Sequence, residues 1–241
     1  MSARPKTFTH IAGISGSAAL FRPVAAVLRD HGWTVAVIEQ AAAPADIDDL
    51  VRRVRVAQRE RGHVSIVSGE SFGGIAAQTF ARAFPAELSH LVLVAAFAHL
   101  PWPARRRLVD AVAPVASQVA RLVPDAAAPF LRRLTSTTVN ATDPPSLRKA
   151  YREAAAAPLH VYFENVRTAL AFDARPFLPS IETPTLVVHG AYDRLIPLAC
   201  GEELGRSIPH ATLDVVPDAG HLPHVAAPER FVTRLAAWVS A

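Results

Sequence analysis

His63-Val64-Ser65-Ile66-Val67-Ser68-Gly69-Glu70-Ser71-Phe72-Gly73-Gly74-Ile75-Ala76-Ala77 is the stretch on which the fold turns. HVSIVS, His63 to Ser68, is a β-branched run that reads as a strand. From Ile75 to Phe84 the pattern is helical, ended by Pro85. Between them lies Gly69-Glu70-Ser71-Phe72-Gly73, a G-x-S-x-G sequence. In a strand–turn–helix setting such a turn places a serine on a strained corner with its Oγ exposed, and small neighbours let strand and helix close around it. The following N–H, on Phe72, then points from the helix start toward any developing oxyanion. A glycine-rich turn with an incidental serine is the plain alternative, and the flanking elements favour a nucleophile.

The same alternation extends in both directions. FTHIAG (Phe8 to Gly13) reads as a first strand followed by a helix over Ala18 to Asp30, and TVAVIE (Thr34 to Glu39) as a second, followed by a helix over Asp46 to Glu60. HLVLVAA (His90 to Ala96) is apolar almost throughout, as expected of a strand buried on both faces. TLVVHG (Thr185 to Gly190) and ATLDVV (Ala211 to Val216) flank a helix near Leu198 to Ser207, and a last helix carries Phe231, Leu235 and Trp238 at helical spacing. This pattern predicts an α/β fold: a doubly wound, mainly parallel sheet of about six strands.

Between Ala98 and Ser180 the alternation stops. That stretch holds 10 of the 20 prolines and no glycine, and Ala, Leu and Arg dominate it, which predicts several short helices broken by Pro. Residues 1–97 and 181–241 are therefore expected to form the core, and residues 98–180 an all-helical lid.

Composition excludes other classes. With 241 residues, 51% hydrophobic, and a net charge of +4, the chain has ample apolar surface to offset ordering entropy. A single cysteine, Cys200, rules out a disulfide framework and a Cys-rich zinc site, and reads as a small buried apolar residue. MSARPKTFTH shows no signal-peptide pattern, and no apolar run reaches about 18 residues, so a cytoplasmic protein with no membrane partner is expected. Of 25 basic residues only Lys6 and Lys149 are lysines, and no basic run exceeds Arg105-Arg106-Arg107, which speaks against nucleic acid as a partner.

A nucleophilic serine needs a base, and the base an orienting acid. His221, in DAGHLPH, follows the last strand; Asp193, in HGAYDRLIP, follows the strand before it. Both fall at carboxyl ends of strands, the edge that Ser71 occupies and where open α/β sheets place their sites. Asp218 is the weaker acid, only three residues from His221 and better suited to capping the loop, and Phe97-Ala98-His99-Leu100 after the fourth strand offers none. His224 reads as a solvent or packing residue, or a second polar group; His189 packs or hydrogen-bonds at a strand end; Glu70 braces the turn or tunes its electrostatics. The loop Ala12-Gly13-Ile14-Ser15-Gly16-Ser17 lets the backbone approach a substrate, so the second oxyanion N–H is assigned to Ile14, with Ser15 as alternative.

With AGISGS, GESFGG, HGAYDRLIP and DAGHLPH in place, the chain resembles the α/β-hydrolase superfamily over essentially its whole length, in the lidded branch of small bacterial esterases, lactonases and carbon–carbon hydrolases. The Ser71, Asp193, His221 order is that superfamily's order. The resemblance implies a serine hydrolase of small-molecule carboxylic esters or lactones, without metal or organic cofactor. It also implies that the usual antiparallel hairpin before the first strand is missing, and that Ala12-Gly13 stands where a loop-bracing His-Gly is usual. Ser71 disfavours the dehalogenase and epoxide-hydrolase subclasses, which use Asp at the elbow. Carbon–carbon hydrolysis and acyl-thioester or carrier-protein ester hydrolysis stay open on the same triad, as does an acidic carrier protein as partner. Leu100, Trp102, Phe130, Phe163 and Leu222 are expected to contact the substrate, with Leu131, Tyr162 and Phe172 as further apolar bulk of the lid.

Overall fold

The computed structural model describes residues 6–14, 17–40, 43–58, 64–122 and 158–241. Strands β1 (Lys6–Ile11), β2 (Trp33–Ile38), β3 (Val64–Glu70), β4 (His90–Val94), β5 (Thr185–Gly190) and β6 (Ala211–Val216) form one sheet in the order β2-β1-β3-β4-β5-β6. Every pairing between them is parallel. Leu91, Val92, Leu93 and Val94 of β4 have no exposed surface, which is why that strand reads as a continuous apolar run.

Helices α1 (Arg22–Asp30) and α8 (Pro228–Val239), the latter preceded by the short α7 (Pro223–Ala226), cover one face of the sheet, burying Val24, Leu28, Val232 and Leu235 with Phe8. On the other face α2 (Ile47–Gln58), α3 (Gly73–Ala83) and α6 (Leu198–Ser207) bury Leu50, Val54, Ile75, Phe80 and Leu204. The strand order reverses between β1 and β3, so the crevice at that switch opens between the loop after β1 and the turn after β3. All strands being parallel, the loops that carry Ile14, Ser71, Asp193 and His221 leave the same edge.

Helices α4 (Pro103–Leu122) and α5 (Leu159–Ala171) belong to the insertion. Its two ends meet at the core: His99 bridges Asp173 in antiparallel fashion, and the Ala174 N–H donates to the Ala98 carbonyl at 2.8 Å. The expectation of short helices broken at each proline is corrected here, because α4 runs twenty residues through Pro114. Pro114 lies on the exposed side, where the freed carbonyl one turn earlier costs least. Ala113 and Ser117 are buried, and the Ser117 hydroxyl donates to Glu164 of α5 at 3.2 Å. Phe130 and Leu131, expected in the lid, and Ser15, the alternative oxyanion donor, lie outside the described residues.

Candidate active site

Ser71 is one of two non-glycine residues with positive φ among the described residues, at 51°. Such a conformation costs about 1–3 kcal/mol and persists only where its surroundings enforce it. Here the Ser71 N–H donates to the Val94 carbonyl at 2.8 Å, and its own carbonyl accepts from Gly74 at 3.0 Å as α3 begins. Gly73 has no alternative: a Cβ there would collide with the carbonyl oxygens of Ile11 and Ala12. That contact brings the end of β1 against the start of α3, and so Ile14 near Phe72. Phe72 is the N-cap of α3, so its N–H lies at a helix start, where donors have no intrahelical acceptor.

Asp193 is sealed from solvent, and each carboxylate oxygen is engaged. Its Oδ1 accepts the N–H groups of Leu195 at 2.8 Å and Ile196 at 2.9 Å, and its Oδ2 accepts Nδ1–H of His221 at 2.8 Å. Burial alone would raise its pKa, but the charge and hydrogen bond of His221, the Ile196 N–H and the charge of His189 outweigh it, so the carboxyl sits below its ordinary range. With Nδ1 committed as the donor, Nε2 of His221 is the nitrogen left to take a proton. Asp218 has no share in this: it is exposed and pairs with Arg230 at 3.3 Å.

Ile14 has a brace that the sequence did not reveal. Gln40, just past β2, donates from Nε2 to the carbonyls of Ala12 at 3.1 Å and Gly13 at 2.9 Å. Its Oε1 accepts from Asn165 of α5 at 3.0 Å, and Asn165 Oδ1 accepts the Ala45 N–H at 2.8 Å. Ala12-Gly13 lacks the histidine that the resemblance leads one to expect, and Gln40 holds that loop instead.

A cavity of about 280 Å³ opens over Ser71 between the core and the insertion. Ile14, Phe72, Leu100 and Trp102 line it, with Phe97, Tyr162 and Arg105. Two expected contacts are placed elsewhere. Phe163 sits edge-on to the ring of Tyr162, and Leu222 is buried with α1 and α8 on the sheet face away from the insertion; neither is among the described lining residues. Phe130 falls outside the described residues. Cys200 is buried, and burial pushes its thiol up to about 11, which matches a packing role. His189 pairs through Nε2 with the Ile196 carbonyl at 3.0 Å.

Comparison with known proteins agrees with this fold. A RutD protein of Caulobacter sp. (strain K31), provisionally named a carbamate hydrolase, is 29% identical over 233 residues, covering 91% of this chain and 85% of its own. A pimeloyl-[acyl-carrier protein] methyl ester esterase of Aromatoleum aromaticum is 29% identical over 182 residues, 68% of this chain and 70% of its own. Among solved structures, a thermophilic esterase from Thermogutta terrifontis superposes with a TM-score of 0.79 at 21% identity, over 99% of this chain and 92% of that one. None of the helices among the described residues is long and apolar enough to cross a membrane. The alpha/beta hydrolase family profile matches residues 7–234, and the chain belongs to that family.

Proposed function

We propose that the chain is a serine hydrolase of carboxylic esters, lactones included, acting through an acyl-enzyme. Ser71 Oγ attacks the acyl carbon while His221 Nε2 takes its proton, and Asp193 holds the imidazole in the useful tautomer. The N–H groups of Phe72 and Ile14 stabilise the tetrahedral oxyanion. His221 returns the proton to the leaving alcohol as the carbon–oxygen bond breaks. Water, deprotonated by His221, then releases the acid and restores Ser71. No metal or organic cofactor enters these steps.

The observation that carries this reading is the 2.8 Å contact between His221 and a buried, fully engaged Asp193, on the same sheet edge as a serine held at positive φ. The apolar lining of the cavity supports small to medium apolar acyl groups. A second reading, an ester or thioester carried on an acidic carrier protein, draws on Arg105 at the cavity wall and on the relative named for such an ester. We place the protein in the cytoplasm and treat residues 98–180 as its lid.

Ser71→Ala tests the proposal with a panel of p-nitrophenyl esters of increasing acyl length. Turnover by the parent should be lost in the variant to within a residual of roughly 10³–10⁴-fold over water, while thermal unfolding is unchanged. Equal rates for the two proteins would remove Ser71 from the chemistry.

A further inference from the structure

Glu70 is 4% exposed and immediately precedes Ser71, yet none of the steps above uses it. Its carboxylate occupies the place where three loops come together. Its Oε2 lies 3.3 Å from Nε2 of His224, three residues beyond His221, and 3.9 Å from Nε2 of His10 on β1. On the other side, a Cβ placed on Gly13 would sit 2.6 Å from its Oε1, so the carboxylate lies directly under the loop that presents Ile14. Both histidines have no exposed surface. The His10 ring stacks on Phe21 with centroids 3.7 Å apart, and its Nδ1 is 3.3 Å from the Ser68 hydroxyl. His224 packs edge-on against Phe231.

Taking a carboxylate out of water is costly unless partners compensate. Burial alone would push the Glu70 carboxyl up, but the two imidazoles facing it outweigh this and hold it well below the usual range, so the group is ionised. Burial drives His10 down to about 4, leaving it neutral. Nε2 of His10 and both nitrogens of His224 have no well-directed hydrogen bond, and the two Nε2 atoms face the Glu70 carboxylate. A charge kept in an aromatic core at this cost ties together whatever surrounds it.

We propose that Glu70, through His224 and His10, is a positioning residue: an internal strut that fixes the nucleophile turn, the loop of Ile14 and the loop of His221 relative to one another. The inference rests on the serine reading above. The strut touches no substrate, so its removal should misplace the reacting groups without emptying the cavity.

Steady-state kinetics on one p-nitrophenyl ester, with thermal unfolding in parallel, test it on E70Q, H224Q and the double variant. E70Q should lower kcat about 10–10²-fold, the size of effect that a displacement near 1 Å produces, with KM little changed. H224Q should act in the same direction, and the double variant should be no slower than E70Q, because both remove one linkage. If E70Q does not fold, the kcat–KM split of H224Q decides the question in its place. A folded E70Q with the parent kcat, or single losses that multiply in the double variant, would overturn the strut. The three side chains also place ligating atoms within 4.8 Å of one another, in a two-histidine, one-carboxylate set. Stoichiometric metal in the purified protein, removed by chelator with loss of activity, would likewise overturn it, by making the cluster a metal site. S71A run beside them separates the failures. An inactive S71A with a fully active E70Q removes the strut alone, whereas an active S71A removes the serine reading and the strut together.

Discussion

His10 shows at the level of one residue what burying a base does to a protein. With its pKa lowered from 6.5 to about 4, first by burial and then against the pull of Glu70, it stays neutral in the folded chain at pH values where the unfolded chain protonates it. Between about pH 6.5 and 4 the unfolded state therefore binds more protons, so stability falls as pH falls through that window, by an amount on the order of a few kcal/mol from this group. Asp193 works in the opposite chemical sense and lower down: its depressed pKa adds stability above the ordinary carboxyl range, lost only as pH drops through the folded value. Urea midpoints measured at pH 7 and pH 5 should show the parent losing stability, and His10→Gln losing markedly less. A parent that is as stable at pH 5 as at pH 7 would contradict the assignment. Residues of this kind were not legible in the sequence. Ser71 announces itself because its neighbours must be small, and Asp193 and His221 because strand ends locate them. His10 and His224 are 214 positions apart, and only the closed core makes them neighbours of Glu70.

Among the elements, the informative link runs from α5 of the insertion to the end of β1. Asn165, 1% exposed, donates to Gln40, which in turn holds the carbonyls of Ala12 and Gly13 and so the N–H of Ile14. The insertion and the loop after β1 are thus parts of one hydrogen-bonded structure. Asn165→Ala leaves the Gln40 oxygen and the Ala45 N–H without their partner, at a cost of about 1–3 kcal/mol in a denaturant titration. It should also slow hydrolysis of short and long acyl esters by the same factor, since the oxyanion site serves both. A loss confined to long acyl chains would mean that Asn165 shapes the cavity and not the loop. Element by element, the core was readable because periodicity repeats: β5, β6 and α6 have the bounds that the sequence predicts, and the other strands differ by at most two residues at either end. The insertion was not. Proline propensity argues for short helices, but packing of one buried face on α5 carries α4 through Pro114. Gln40 was hidden for a related reason. It reaches Ala12 and Gly13 only because β2 pairs beside β1, an order that the alternation of strands and helices leaves open.

For the molecule as a whole, charge is unevenly shared. Residues 98–180 hold eleven Arg or Lys and six Asp or Glu, a balance of +5 against +4 for the chain, so the basic excess falls within that stretch of the sequence. Arg106 is spoken for in part by Asp110 at 3.8 Å, whereas Arg105 lies over the Trp102 ring, 4.7 Å from its centroid, and lines the cavity. Arg132 and Arg133, which the sequence groups with them, are outside the described residues. Exposed arginines on short helices ordinarily spread their stems over apolar surface and leave the charge in water. At the rim of a mostly apolar cavity the same charge would also attract an anionic ester before it enters. Steering of this kind acts on the rate of encounter and fades as the Debye length falls from about 10 Å at 0.1 M salt to 3 Å at 1 M. kcat/KM for an ester with a free carboxylate should therefore drop over that range, and that of a neutral ester of matched size should hold steady. Arg105→Gln should shrink the difference, because Arg105 alone of the described lid arginines both faces the cavity and caps one of its aromatic walls. Equal salt responses for the two substrates would return these arginines to the role of solvated helix surface and leave substrate choice to the apolar wall.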